Sequence, residues 1–170
     1  METKEEKVEQ GVTRIQPGNG RSLRVLGELM TYKITSERTG GAYSLFEVMS
    51  EPGNGLPPHV QHREDEAFYV LEGEYEFLDD DGHTMRAGTG SLVYVPKGSL
   101  HTYKNVGTTP GKMLVSQTPG GLHERFFEEI GQEAQDKFKP TAHEGQLDAE
   151  RIVTIAATYG IEIPPPTLSW

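Results

Sequence analysis

The chain has 170 residues, room for one domain with a substantial core. Its 26 acidic residues outweigh 16 basic ones for a formal net charge of −10, which disfavours nucleic acid or an anionic membrane as a partner. Cysteine is absent, which excludes disulfides, thiolate metal ligands and a cysteine nucleophile; any metal must sit on His, carboxylate, amide or water.

The opening METKEEKVEQ is charged and lacks the apolar segment of a secretory signal. No apolar run reaches the roughly 18 residues needed to cross a bilayer. The expected location is therefore the cytoplasm, with residues 1–10 read as a solvated acidic arm. From residue 11 to 120, short apolar runs alternate with Gly, Pro and Asp clusters, and no helical period fits. SLRVLGELMTYKI reads as two adjoining strands, followed by AYSLFEVMS, PHVQH, EAFYVLEGEYEFLD, HTMRAG, SLVYVP, HTYKNV and KMLVSQT. The Asp-Gly in LDDDGHT suits a hairpin turn. Such spacing predicts an all-β sandwich or barrel, with the double-sheet jelly roll among the candidates.

Residues 121–170 change character and are read as a helical extension and tail of the same domain. GGLHERFFEEIGQEAQDKF places Leu122, Phe126, Phe127, Ile130 and Ala134 on one helical stripe. LDAERIVTIAATYG predicts a second helix, with Asp148 as N-cap, an apolar face of Ile152, Ile155, Ala156 and Tyr159, and Gly160 as the stop. About 30 helical residues cannot bury a core alone, so both helices should pack outside the β domain.

The chemistry concentrates in GLPPHVQHREDEAFYVLEG. Strand alternation puts His59 and Gln61 on one face and Val60 on the other. A turn at HRED would bring Glu66 onto the same side, with Phe68 and Val70 following it on one face. His62 is out of phase and should point outward unless a bulge re-aims it. His101 opens HTYKN and shares a face with Tyr103. Two imidazoles and a carboxylate suit a divalent first-row metal. The remaining residues are read plainly: Arg63, Glu64 and Asp65 as a solvated turn, His83 and His143 as loop histidines, and His123, which opens the first helix, as a surface residue in preference to the alternative of a place near the barrel mouth.

These residues resemble the two motifs of the cupin family. The second motif, G-x-x-x-x-x-P-x-G-x-x-H-x-x-x-N, is matched by Gly90, Pro96, Gly98, His101 and Asn105. The first is matched by Gly53, His59, Glu66 and Gly73, with Pro-Pro before the histidine. EAFYVLEGE, and TPGG leading into ERFFEEI, resemble the quercetin-dioxygenase-like branch. The resemblance covers about residues 40–120 and implies an all-β double-stranded β-helix, the cupin jelly-roll barrel, with the C-terminal helices packed outside. It implies one divalent metal, Fe, Mn, Ni, Co or Zn, on His59, Gln61, Glu66 and His101. Gln61 departs from the pattern, standing where the family carries its second histidine. It could coordinate through oxygen, hydrogen-bond a metal-bound water, or mark a site that has lost its metal.

On this resemblance the expected activity is a metal-dependent dioxygenase acting on an aromatic or enolic small molecule. Glu66 would serve as ligand and catalytic base, and Phe46, Val48, Phe68, Val70 and Tyr103 would line the substrate pocket. A metal-dependent isomerase, lyase or cyclase, and a non-catalytic ligand-binding protein, are the alternatives. Outward apolar residues such as Tyr43 and Leu45 need covering, which a homodimer, common in the family, would provide.

Overall fold

A computed structural model describes residues 11–139 and 148–165. The first strands are β1 (Ser22–Val25), β2 (Glu28–Ile34), β3 (Ser44–Ser50), β4 (Gly55–Gln61), β5 (Asp65–Glu72) and β6 (Glu74–Leu78). They are followed by β7 (Thr84–Gly88), β8 (Leu92–Val95), β9 (Leu100–Asn105) and β10 (Gly111–Thr118). Helix α1 (Leu122–Ile130), β11 (Gln132–Glu133), α2 (Ala149–Thr158) and β12 (Ile161–Glu162) complete the described chain. One sheet has seven strands in the order β11-β1-β2-β3-β10-β5-β8, and the other has five in the order β12-β4-β9-β6-β7. Every pairing is antiparallel. This is the jelly-roll architecture expected from the strand spacing.

The period-two patterning becomes alternating burial along β3 and β10, whose inward residues include Phe46, Val48, Met113 and Val115. Aromatic rings join the two sheets: Phe68 of β5 lies 5.4 Å from Phe77 and 5.6 Å from Tyr103, centroid to centroid. The run EAFYVLEGEYEFLD is two strands in different sheets, broken at Gly73. That residue has φ +88°, and a Cβ there would stand 3.0 Å from the Cα of Gly111. Only glycine meets both constraints without strain, which is the physical content of the motif's last position. The Asp-Gly hairpin forms as expected, with the Asp79 carboxylate accepting from the N–H groups of Asp81 and His83 at 3.0 and 2.9 Å.

The helical tail differs from expectation in one respect. α1 stops at Ile130, and Ala134 is not on it. Gly131 turns extended and its N–H bonds to Phe127 O, after which Gln132 and Glu133 pair with β1. Edge pairing along β1 wins over continued helix because a strand partner was available there and GQEAQ has little apolar face to bury. α2 begins as expected, with Asp148 accepting from the N–H of Arg151 at 3.0 Å. Phe126, Phe127, Ile155, Ala156 and Ile161 belong to the same core cluster as the strand residues. Residues 1–10 and His143 lie outside the described residues. No helix among the described residues is long and apolar enough to cross a membrane.

Candidate metal centre

Strands from both sheets and the first turn of a helix converge on a single carboxylate. His59 of β4 and His101 of β9 are direct cross-strand partners, with ring centroids 4.3 Å apart. Glu66 of β5 faces them from the seven-stranded sheet, and His123 reaches in from the first turn of α1. All four are buried. Glu66 Oε2 lies 3.0 Å from His101 Nε2 and 3.8 Å from His59 Nε2, and Glu66 Oε1 lies 3.7 Å from His123 Nε2. His59, Glu66 and His123 each offer one donor atom within 4.8 Å of the others.

The tautomers follow from the outer nitrogens. His59 Nδ1 lies 3.0 Å from the carbonyl of Pro57, and His101 Nδ1 lies 3.2 Å from the carbonyl of Ser99. A carbonyl can only accept, so each Nδ1 carries the proton and each Nε2 presents a lone pair to Glu66. His123 Nδ1 lies 2.7 Å from Glu64 Oε2, and donation to that carboxylate leaves its Nε2 as the donor atom facing Glu66. Three imidazole nitrogens therefore surround a carboxylate in a dry interior. Among the described residues, Glu66 Oε2 and His101 Nε2 are both buried without a hydrogen-bond partner. Lone pairs facing a carboxylate repel unless a proton or a cation stands between them.

The ionisation states carry the same message. Burial raises the Glu66 pKa, but the charge of a protonated His123 heads the opposing influences, close polar contacts with His101 and His59 add to it, and together they hold it well below the usual carboxylate range. Burial and the neighbouring His101 push the His59 pKa down, keeping that ring neutral. For His123 burial pushes down, yet Glu66 and Glu64 together prevail and the pKa is raised. Without another cation, a proton on His123 compensates the buried carboxylates; a divalent metal would supply that charge more centrally.

Residues 46–116 match the family described as "Cupin domain". Over that stretch the chain resembles the cupin domain. The match includes His59, Glu66 and His101 of the two cupin motifs but stops short of α1. A germin-like protein (subfamily 2 member 2) of Arabidopsis thaliana is 37% identical over 84 residues, 45% of this chain; the chain spans 38% of that relative's length. Among solved structures, a predicted oxalate decarboxylase from Thermotoga maritima superposes with TM-score 0.59 at 20% identity, over 63% of this chain and 99% of the other. The polyketide cyclase RemF from Streptomyces resistomycificus superposes with TM-score 0.57 at 22% identity, over 64% and 80%. At these identities the structures show the shared fold.

Within that stretch, Gln61 does share the inward face with His59, as alternation requires, and is 2% exposed. Its amide is turned away from Glu66. Oε1 accepts from the N–H of Arg63 at 3.0 Å, and Nε2 donates to Glu64 Oε2 at 3.1 Å. The nearby carboxylate sets the orientation, since the flipped amide would put oxygen against oxygen. His62 points outward as its phase predicts, paired with Glu162 at 2.8 Å. Phe46, Val48, Phe68, Val70 and Tyr103 are all buried. A cavity of about 10 Å³ is lined by Phe46, Val48, Phe68 and Tyr103 together with Glu66 and His123; Val70 lies outside that lining.

Two expectations are corrected. His123 is 2% exposed rather than on the surface, and Glu64 is fully buried rather than in a solvated turn. His123 had a legible signal: with Phe126, Phe127 and Ile130 it forms an i, i+3, i+4, i+7 stripe, so it shares the face that packs inward. Glu64 had none, because a buried acid inside a charge run differs from its neighbours only by what a distant helix brings to it.

Proposed function

We propose that this cupin domain is a metal-dependent enzyme acting on a small oxygen-bearing molecule, with His59, Glu66, His101 and His123 holding one divalent ion. The observation that carries this reading is the convergence of three Nε2 lone pairs on a buried carboxylate, each imidazole fixed by an acceptor at its Nδ1. A bound Fe, Mn, Ni, Co or Zn ion would supply Lewis acidity toward a hydroxyl, enol or carbonyl oxygen, and a redox-active one would also give access to dioxygen chemistry. Of such reactions, dioxygenation of an aromatic or enolic substrate is our first reading.

Glu66 serves as the ligand carboxylate. Its depressed pKa suits that role and disfavours work as a base, which is most effective with a pKa near the working pH. Phe46, Phe68, Tyr103 and Phe127 line a cavity beside the centre. The cavities beside it measure about 10 Å³ and about 20 Å³, and His123 and Phe127 line both. Each holds about one water molecule. Neither cavity has room for an aromatic ring, whereas a compact enol or carbonyl compound asks for less space. That observation favours a second reading, a metal-dependent isomerase, lyase or cyclase.

Metal analysis followed by oxygen-uptake assays with a flavonol and with small enols separates these readings. Oxygen consumption coupled to substrate loss supports the dioxygenase; substrate conversion under nitrogen supports the second. Absence of stoichiometric metal after incubation with all five ions would overturn both. We also propose a homodimer that covers the outer face of the seven-stranded sheet, where Tyr43, Tyr69, Leu92 and Tyr94 are exposed. Light scattering that gives a monomer mass would refute it.

A further inference from the structure

We propose that Glu64 is a positioning residue that recruits His123 from α1 into the metal centre, in place of the barrel histidine that Gln61 displaces. This rests on the metal assignment above.

A fully buried carboxylate is costly unless every oxygen is engaged. Glu64 meets that requirement almost entirely with groups of α1. Oε1 accepts from the N–H of Leu122 at 2.8 Å. Oε2 accepts from the N–H of His123 at 3.2 Å and from its ring Nδ1 at 2.7 Å. Gln61 Nε2 adds a fourth contact at 3.1 Å. The N-cap residue of α1, Gly121, has no side chain to offer the first turn, so an acid three residues beyond the end of β4 does that work from a distance.

Capping alone would need only the two backbone N–H groups. The shortest of the contacts goes instead to the His123 ring, where it fixes two things. It places the proton on Nδ1, and it orients the ring so that Nε2 faces Glu66 Oε1 at 3.7 Å. Gln61 completes the arrangement: its Nε2 lies 3.2 Å from His123 Nδ1, and both point at the same Glu64 oxygen. An amide at position 61 thus braces the carboxylate that holds the incoming histidine. The barrel supplies three donors from its own strands and takes the fourth from a helix that follows them. Metal binding and the docking of α1 over the barrel mouth are then one linked equilibrium.

The test is a chelator-competition titration of the full chain with Zn(II), paired with the visible spectrum of the Co(II) form, on wild type and the variants Glu64→Gln, Glu64→Asp, His123→Ala, His101→Ala and Glu64→Gln/His123→Ala. Glu64→Gln and Glu64→Asp are expected to lower affinity on the order of 10- to 100-fold and to change the Co(II) spectrum, as loss of a ligand's hydrogen-bonding partner does. In the His123→Ala background, Glu64→Gln should cost no further affinity, because the acid acts through that ring. Glu64→Asp keeps the charge and guards against a Gln variant that fails to fold. A purely structural role predicts the opposite pattern: lower thermal stability of the metal-free variants, wild-type affinity and an unchanged spectrum. That result, or additive losses in the double variant, would overturn the inference while leaving the metal centre standing. Zn(II) binding by His101→Ala equal to wild type would remove the centre itself, and the inference with it.

Discussion

Replacing Glu28 by glutamine should remove a pH dependence of stability that the fold builds in. Glu28 is fully buried, where Ser50 Oγ contacts its Oε2 and Asn54 Nδ2 donates to its Oε1 at 2.8 Å. Burial, the dominant influence, raises its pKa from 4.5 to about 8 against the opposing hydrogen bonds of Ser50 and Asn54. The native state therefore keeps this proton where the unfolded chain has released it. Stability from this group is fully present below the unfolded value and is lost as pH rises toward the folded one. A full pH unit well inside that window costs about 1.4 kcal/mol and less near its two ends, so between pH 5 and pH 8 the loss amounts to about 3.5 kcal/mol. A glutamine side chain has the same shape, can accept from Asn54 and donate to Ser50 Oγ, and does not titrate. Urea denaturation of metal-free wild type and Glu28→Gln at pH 5, 6, 7 and 8 isolates the term, since every other titrating group is common to both. The variant should gain on wild type as pH rises. Parallel stability profiles would refute the assignment of a neutral buried acid at position 28.

The proposed metal centre yields further outcomes. In the Gln61→His/His123→Ala double variant, the barrel position should regain at least tenfold of the Zn(II) affinity that His123→Ala loses, because position 61 is buried on the inward face shared with His59 and its side chain already reaches the His123 ring; no recovery in a competition titration would show that position 61 cannot reach the ion. Metal affinity should weaken as pH falls, because the raised His123 pKa means a proton competes with the ion, by up to about tenfold per pH unit below that pKa; a flat profile by calorimetry would count against His123 as a ligand. Gly73→Ala should destabilise the domain by about 1–2 kcal/mol in thermal denaturation, since the added Cβ meets both a φ of +88° and the Gly111 backbone at 3.0 Å. A wild-type melting temperature would show that the loop between β5 and β6 relaxes freely.

Much of this protein could be read along the chain. Period-two alternation, Asp-Gly and Gly-rich turns, and the absence of a helical period before residue 120 led to the jelly roll, because a half-buried strand imposes its pattern on consecutive residues. The same alternation placed His59 and Gln61 inward, His62 outward, and Glu66, Phe68 and Val70 on one face. The two spaced motifs singled out His59, Glu66 and His101, since their spacing reflects hairpin lengths that the backbone enforces locally.

What lay beyond the sequence concerns contacts made across the fold. α1 ends at Gly131 because β1 offers an edge to Gln132 and Glu133, residues more than one hundred positions away. Glu64 and His123 are separated by 59 positions and become one unit only when α1 closes over the strands. A charge run reads as solvated because its neighbours are solvated; whether one acid within it is buried depends on which N–H groups arrive from elsewhere. The sequence determined the strands, their faces and three of the proposed ligands. The tertiary structure decided the burial of His123 beside Glu66 and the direction in which Gln61 points, because both depend on where a helix docks rather than on the period of the strand that precedes it.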